Sequence, residues 1–104
     1  MTRPLIYLPA VRNDLLEAFS YYESCSPGHG AERFELAFRH GLNKIREGLV
    51  THLRVFDHYH RVPLGKYPYN LYYRLRKERA VIVGVLYARM DPDRIEATLT
   101  HRED

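Results

Sequence analysis

Arginine, lysine and tyrosine are the residues of this sequence that could do chemistry, and the charged ones are unevenly distributed. Residues 54–89 include eight lysines and arginines but two acids, whereas residues 1–53 hold six of each sign. Such a basic half attracts a phosphate backbone or an acidic protein, and a solvated face without a partner would have the same composition. The tyrosine pairs at 21–22 and 72–73 could stack on bases or fill a protein interface.

Histidine and cysteine are the residues that could hold a metal or act as a nucleophile. His58 and His60, with His52 nearby, would need further ligands at fixed geometry, and Cys25 is far away in the sequence. Nothing marks a base paired with Cys25, so a small semi-buried thiol near a helix end is the simpler interpretation. We interpret the histidines as surface residues and predict no metal and no cofactor.

The stretch from Tyr67 to Pro92 must position most of the basic residues, and its pattern predicts a β-hairpin. Residues 69, 71, 73 and 75 are apolar or aromatic and alternate with more polar ones, as in a strand with one buried face. Residues 76–79 are all charged, so the chain should reverse there. Ala80–Ala88 is uncharged and rich in β-branched residues, which predicts a central strand covered on both faces.

The first half of the chain predicts one strand and two helices. A short apolar run, Pro4–Leu8, should pair beside the central strand, and Pro9 suits the first turn of a helix that ends near Ser24. A second amphipathic helix should run from Ala31 to a left-handed Gly48, and the Pro-Gly-rich segment between them predicts a helical hairpin.

The predicted fold is α+β with the order β-α-α-β-β-β. Residues 49–59 have mixed periodicity and are interpreted as a connecting loop, and Arg61–Leu64 as a short strand that Pro63 confines to an edge. The helical hairpin should cover one face of a twisted, mainly antiparallel four-stranded sheet. The other face should present Asn70, Tyr72 and Arg74 to solvent or to a partner.

Length and composition limit the class of protein. A chain of 104 residues makes a single domain, residues 1–104, and buries roughly 65% of its unfolded surface. No apolar run approaches the ~18 residues that span a bilayer, and the N-terminal segment is too short for the apolar region of a signal peptide. With one cysteine no internal disulfide can form. These features predict a cytoplasmic protein without a membrane partner.

Four segments, in this order along the chain, carry a resemblance to a known family. They are Asp14–Tyr22, Ala31–Phe34, Tyr67-Pro68-Tyr69-x-Leu71-Tyr72-Tyr73-Arg74, and Val81–Pro92 with its exit Arg89-x-Asp91-Pro92. The sequence resembles the RelE/ParE superfamily of bacterial toxins, and within it the ParE-like, plasmid-stabilisation branch. The resemblance implies a type II toxin that a ParD-like or RelB-like antitoxin binds and neutralises.

The resemblance implies two alternative activities. RelE-like members are endoribonucleases that cut mRNA on the ribosome with basic residues and often a tyrosine, and Arg61, Arg74 and Arg89 would be the catalytic residues here. The position after Tyr69 is Asn70 rather than a basic residue, and residues 95–104 lack a tyrosine. No acid and base pair for phosphodiester cleavage is evident. We therefore favour the ParE-like alternative, a poison that binds DNA gyrase without catalysis; a non-toxic binding module of the same fold is a third interpretation.

Site residues follow from the same resemblance. The residues expected to contact the target, gyrase or else ribosome and mRNA, are Arg61, Tyr72, Arg74, Arg89 and Arg94. The residues expected to contact the acidic, partly disordered segment of the antitoxin are Leu15, Phe19, Phe38, Arg74 and Arg76.

Overall fold

Five strands and three helices make up the fold in the computed structural model, which describes residues 2–49 and 51–103. In chain order they are β1 (Leu5–Tyr7), α1 (Ala10–Cys25), α2 (Gly30–Glu47), β2 (Leu53–Val55), β3 (Tyr59–Pro63), β4 (Tyr69–Arg76), β5 (Arg79–Tyr87) and α3 (Pro92–Arg102). The strands form one sheet in the order β1-β5-β4-β3-β2, with β1 parallel to β5 and the other pairs antiparallel. The α+β class is confirmed, with one strand and one helix more than predicted.

The helical hairpin forms as the sequence predicts. Pro9 precedes the first residue of α1, where its missing N–H needs no partner. Helix α2 ends at Gly48, whose φ of 68° is the left-handed conformation that favours glycine, and the Gly48 N–H donates to the Lys44 carbonyl. A Cβ at Gly41 would lie 3.0 Å from the Leu64 side chain, so this glycine lets α2 pack closely on the sheet.

A first hydrophobic core lies between the helical hairpin and one face of the sheet. Phe34 is fully buried and stacks on Tyr22 with ring centroids 5.2 Å apart. Tyr67 and Tyr69 meet the Phe34 ring edge to face. The strands contribute Val62, Leu71, Tyr73, Ala80, Ile82 and Val85, and Leu64 joins them just after β3.

The β-hairpin predicted at residues 76–79 is confirmed, and β5 is an interior strand. Arg76 pairs with Arg79 across the turn, where Lys77 takes a φ of 57°. All residues from Ala80 to Leu86 are buried. The predicted pairing of the first strand beside the central one is also confirmed, because Leu5, Ile6 and Tyr7 pair with Ala80, Val81 and Ile82.

Two predictions for residues 49–64 are wrong. Leu53–Val55 is a strand rather than loop, paired with Tyr59–Arg61, and is too short to show a period of two in the sequence. Phe56 and Asp57 turn the chain with positive φ angles of 50° and 71°. Strand β3 is therefore interior. Pro63 is tolerated because β2 begins at Leu53, opposite Arg61, and does not extend alongside Pro63. Val50 lies outside the described residues.

The C-terminal segment forms α3, which the sequence interpretation missed. Asp91 caps it by accepting a hydrogen bond from the Asp93 N–H at 3.0 Å, and Pro92 occupies the first turn. Helix α3 lies on the second sheet face, so the prediction that Asn70 and Tyr72 face solvent is wrong. They are 8% and 2% exposed.

Candidate functional site

Helix α3 closes a second hydrophobic core over the sheet face that holds the arginines. Ile95 and Leu99 on the helix are 4% and 0% exposed. They pack with Tyr59, Tyr72, Val81, Val83 and Leu86 of the sheet. Because Tyr72 lies inside this core, any contact between its side chain and a target would require α3 to move.

A bidentate ion pair ties the end of α3 to α1. The Arg102 guanidinium donates to Asp14 Oδ2 at 2.6 Å and to Asp14 Oδ1 at 2.7 Å. The two side chains are 17% and 10% exposed, so the pair is largely removed from water. A bidentate geometry with this burial makes it one of the stronger polar contacts a small domain can have.

The same ion pair satisfies backbone groups on β5. Strand β1 ends at Tyr7, opposite Ile82, so beyond that point none of the described strands pairs with β5 on this side. Asp14 Oδ2 accepts from the Val85 N–H at 3.0 Å, and Arg102 donates to the Val83 carbonyl at 3.1 Å. The two side chains thus take the place of a neighbouring strand.

A bulge in β5 and a glycine make room for Arg102. The register shifts between Tyr72, which pairs with Gly84, and Tyr73, which pairs with Ile82, so Val83 is the extra residue. A Cβ at Gly84 would lie 2.8 Å from Arg102 Nη1 and 3.2 Å from Leu99 Cδ2. Any other residue at position 84 would therefore displace the Arg102 side chain, which ties α3 to α1.

A second contact fixes the last residue of the described C-terminus. Glu103 Oε2 accepts from the Tyr59 hydroxyl at 2.6 Å and from Arg74 Nη1 at 3.1 Å. Burial, and then the hydrogen bond to Glu103, raise the pKa of Tyr59 to about 12, so this hydroxyl stays protonated. Arg74, predicted to meet the target or the antitoxin, is engaged within the chain.

The remaining arginines predicted as site residues fall into separate places. Arg61 is half-buried and lies opposite Tyr72 on the face that α3 covers. Arg89 and Arg94 are exposed near the start of α3, whereas Arg74 lies at its end. The helix has 11 residues and is about 16 Å long, so the structure does not bring Arg89 and Arg74 into one catalytic cluster. Arg76 is exposed beside the hairpin turn.

An apolar groove runs along α1 and the end of β1, with a volume of about 450 Å³. Leu15 and Phe19, both predicted to contact the antitoxin, line it. Phe38 does not: it is 6% exposed and belongs to the first core. The sequence interpretation missed the other lining residues, which are Tyr7, Leu8, Pro9, Val11, Arg12 and Leu16.

Several apolar side chains in and beside the groove are exposed to solvent. Leu16 and Tyr7 are 51% and 47% exposed, and the neighbouring Ile6 is 39% exposed. A row of apolar side chains that stays in water costs free energy unless another molecule covers it. The signal in the sequence was Leu16 itself, an apolar residue outside the helical stripe of Val11, Leu15 and Phe19.

The histidines and the cysteine differ from their predicted environments. His52 is half-buried rather than a surface residue: its Nδ1 lies 2.7 Å from the Tyr73 hydroxyl, and its Nε2 is buried without a hydrogen-bond partner in the part of the chain that the structure describes. Cys25 is exposed rather than semi-buried. Within residues 2–49 and 51–103 no three His, Cys, Asp or Glu side chains come together as a metal site would need.

Acid should weaken the fold through His52. Burial, and then the charges of His60, Lys44 and Arg3, lower the pKa of His52 below its ordinary value. The unfolded chain therefore binds the proton more readily, and stability present above the ordinary histidine pKa of about 6.5 is lost as the pH falls through it. In urea unfolding at pH 7.5 and 5.5, His52→Asn should lose less stability on acidification than the native protein.

The control His40→Asn, at an exposed histidine, should lose as much stability on acidification as the native protein. Identical pH dependence of stability in all three proteins would contradict the assignment to His52.

No helix among the described residues is both long and apolar enough to cross a membrane.

A family model supplies the decisive comparison. The model described as "ParE toxin of type II toxin-antitoxin system, parDE" matches residues 5–92, most of the chain. This chain belongs to the ParE toxin family. The predicted ParE-like resemblance is thereby confirmed, and with it a toxin of a type II toxin–antitoxin system, which implies an antitoxin partner. The matched part of this ParE-family chain includes the groove and the whole sheet and ends where α3 begins.

Individual relatives agree with the family model. Two proteins named Toxin ParE2, from Mycobacterium tuberculosis strains CDC 1551 / Oshkosh and ATCC 25618 / H37Rv, are each 29% identical over 102 residues, which cover 98% of this chain and 97% of theirs. A structure titled "Chromosomal ParDE TA system from P. aeruginosa" has a TM-score of 0.72, covering 85% of this chain and 98% of that chain. At 10% identity this likeness shows a shared fold.

Proposed function

We propose that this ParE-family toxin acts in the bacterial cytoplasm by binding DNA gyrase and inhibiting it without catalysing a reaction of its own. The observation that carries the proposal is the cover over the arginine-bearing sheet face. Helix α3 buries Tyr72 there, and Arg74 is already paired with Glu103. A poison needs a binding surface, and exposed side chains elsewhere on this molecule can supply one.

Ribosome-dependent mRNA cleavage is the alternative that this arrangement disfavours. Such a reaction needs an acid, a base and cations around one phosphate. Arg61 and Arg74 lie on the covered face, and Arg89 lies toward the other end of α3. Cleavage on this face would require the second core to open and the Arg102–Asp14 pair to break.

The gyrase-binding surface in this proposal is the exit from β5 and the first turn of α3. Arg89 and Arg94 are exposed there, with Asp91 and Asp93 between and beside them. Exposed arginines can pair with carboxylates of gyrase or with phosphates of the DNA bound to it. Arg61 is half-buried and would contribute less.

The antitoxin in this proposal is ParD-like, or alternatively RelB-like, and binds the groove through an acidic segment that folds on binding. The groove wall is apolar except for Arg12. Apolar side chains of the segment would cover Leu15, Leu16 and Phe19, and a carboxylate would pair with Arg12. Coupled folding and binding of this kind fits a partner that must cover a long, shallow surface.

Two parallel assays with purified toxin test the function. In the first, toxin is added to gyrase and supercoiled plasmid; in the second, to translating ribosomes with a defined message. We expect stalled gyrase–DNA cleavage complexes and an intact message. Codon-positioned cuts in the message with unaffected gyrase would replace the proposal by the nuclease alternative, and no effect in either assay would indicate a non-toxic binding module.

A further inference from the structure

A second pocket, walled by tyrosines, lies beyond the C-terminal end of the groove. Its volume is about 520 Å³, and its lining residues are Tyr21, Tyr22, Pro68, Tyr69 and Tyr87. None of them lines the groove, which ends at Phe19. Tyr21 and Tyr87 are 58% and 42% exposed, so two large aromatic side chains stand in solvent beside one cavity.

The rings around this tyrosine pocket are held in place by packing. Tyr22 stacks on the buried Phe34 at 5.2 Å, and Tyr21 meets Tyr22 edge to face at 5.0 Å. Tyr69 and Tyr87 are cross-strand partners whose rings meet at 5.8 Å and 72°. Because these rings lie at steep angles to each other, both ring faces and ring edges border the cavity. Packing already orders the rings, so a ligand loses little free energy in ordering them.

Charge and protonation around the pocket favour a cation. Burial raises the pKa of Tyr22 to about 12. Burial, and then the charge of Glu17, raise the pKa of Tyr69, so both hydroxyls are neutral at physiological pH. Glu17 lies one helical turn before Tyr21 on α1, and its negative charge acts on Tyr69, one of the lining residues. A neighbouring ring already carries a cation, since Lys66 Nζ lies 5.8 Å from the centroid of Tyr67.

We propose that the tyrosine pocket binds the guanidinium group of an arginine side chain presented by a protein partner. Aromatic faces attract cations through their quadrupole, and a planar guanidinium can stack on one ring while it donates hydrogen bonds to neutral hydroxyls. Glu17 supplies the opposite charge. A phosphate or nucleotide would instead meet the negative charge of Glu17, which acts on Tyr69.

The pocket adds a specificity element that the groove lacks. The groove wall is apolar with one arginine, so it suits an apolar segment with a carboxylate, whereas the tyrosine pocket suits a basic side chain. The two follow each other along α1. A partner that covers both must present apolar residues to the groove and an arginine to the tyrosine pocket. The arginine site can be tested without knowing the partner.

The test is an NMR titration of the full chain with N-acetyl-arginine-methylamide, followed on the Tyr21 and Tyr87 ring resonances. We expect saturable binding, weaker by about fivefold or more for the uncharged citrulline analogue. Tyr87→Leu and Tyr21→Leu should weaken binding to a similar extent, whereas Tyr87→Phe should retain it. Glu17→Gln should weaken binding about threefold and reduce its salt dependence, whereas the control Glu35→Gln, on exposed α2 surface, should change neither.

Three results would overturn the proposal. The first is equal binding of arginine and citrulline analogues, which would show that charge plays no part. The second is unchanged affinity in both leucine variants while their amide spectra show a folded protein. The third is tighter binding of adenosine monophosphate than of the arginine analogue at the same resonances, which would assign the pocket to a nucleobase.

Discussion

Replacement of Asp14 by asparagine is expected to lower the free energy of unfolding by about 3 kcal/mol, a large share of the total for a domain of this size. The Arg102 side chain is only 17% exposed, and the change leaves its guanidinium without a counterion. It also removes half of a bidentate contact that spans 88 residues of sequence. Urea unfolding followed by circular dichroism measures the loss.

Two further variants distinguish the effect of the Arg102–Asp14 ion pair on stability from that of an ordinary surface ion pair. Glu35→Gln breaks the exposed pair with Arg39, whose atoms are 3.6 Å apart, and should change the stability by less than about 0.5 kcal/mol. Asp14→Leu combined with Arg102→Met leaves no buried charge unpaired but removes the partners of the Val85 N–H and the Val83 carbonyl, so it should recover only part of the loss. A change below about 0.5 kcal/mol in Asp14→Asn would contradict the role assigned to the pair.

Asp14→Asn should also loosen α3 more than the rest of the fold. Four contacts hold the end of this helix: Arg102 with Asp14 and Val83, and Glu103 with Tyr59 and Arg74. Without the Asp14 carboxylate, the amides of α3 should exchange hydrogen faster. The exchange rates of the β5 amides that are bonded to β4 should rise only as much as the loss of global stability predicts. Uniform acceleration across the chain would instead indicate a general loss of stability.

Replacement of Leu16 by glutamate is expected to weaken antitoxin binding by about 30-fold or more, or ~2 kcal/mol. Leu16 is 51% exposed in the groove, so the folded toxin tolerates a charge there, whereas a partner that covers the groove must bury it unpaired. The partner to use is the proposed ParD-like antitoxin. Isothermal titration calorimetry measures the affinity.

Leu36 offers a matched control for the groove. It is 60% exposed on α2 and does not line the groove. Leu36→Glu makes the same chemical change at a similar exposure, and we expect it to leave the affinity within about threefold of the native value, or ~0.6 kcal/mol. Equal losses in both leucine variants would show that the antitoxin covers another surface.

The parts of the fold that the sequence predicts correctly are those with a clear local pattern. The apolar stripe of α2 and the uncharged run of β5 have the periods of a helix and a buried strand. Strand β2 has three residues, too few for a period. Helix α3 also has local signals, namely Asp91 as a cap, Pro92 in the first turn and an apolar pair at Ile95 and Leu99, although the predicted order of elements omits it.

The errors at the site come from tertiary contacts. Alternation in β4 places Tyr72 on the second face, but only the presence of α3 decides that this face is buried. The family resemblance predicted Leu15 and Phe19 as antitoxin contacts, and both line the groove; Tyr7 joins them because β1 ends beside α1. No sequence pattern links Asp14 to Arg102, since the charges that pair across the fold are 88 residues apart.

The most direct test of the proposed function measures gyrase–DNA cleavage complexes as linear plasmid over a range of toxin concentrations. The native toxin should produce linear DNA in proportion to dose. Arg89→Ala with Arg94→Ala should require about tenfold more toxin, because two exposed cations are lost from the proposed contact. Arg39→Ala, at an exposed arginine on α2, should behave as the native protein. Absence of linear DNA at any dose of folded native toxin would contradict the proposal that this ParE-family protein poisons gyrase.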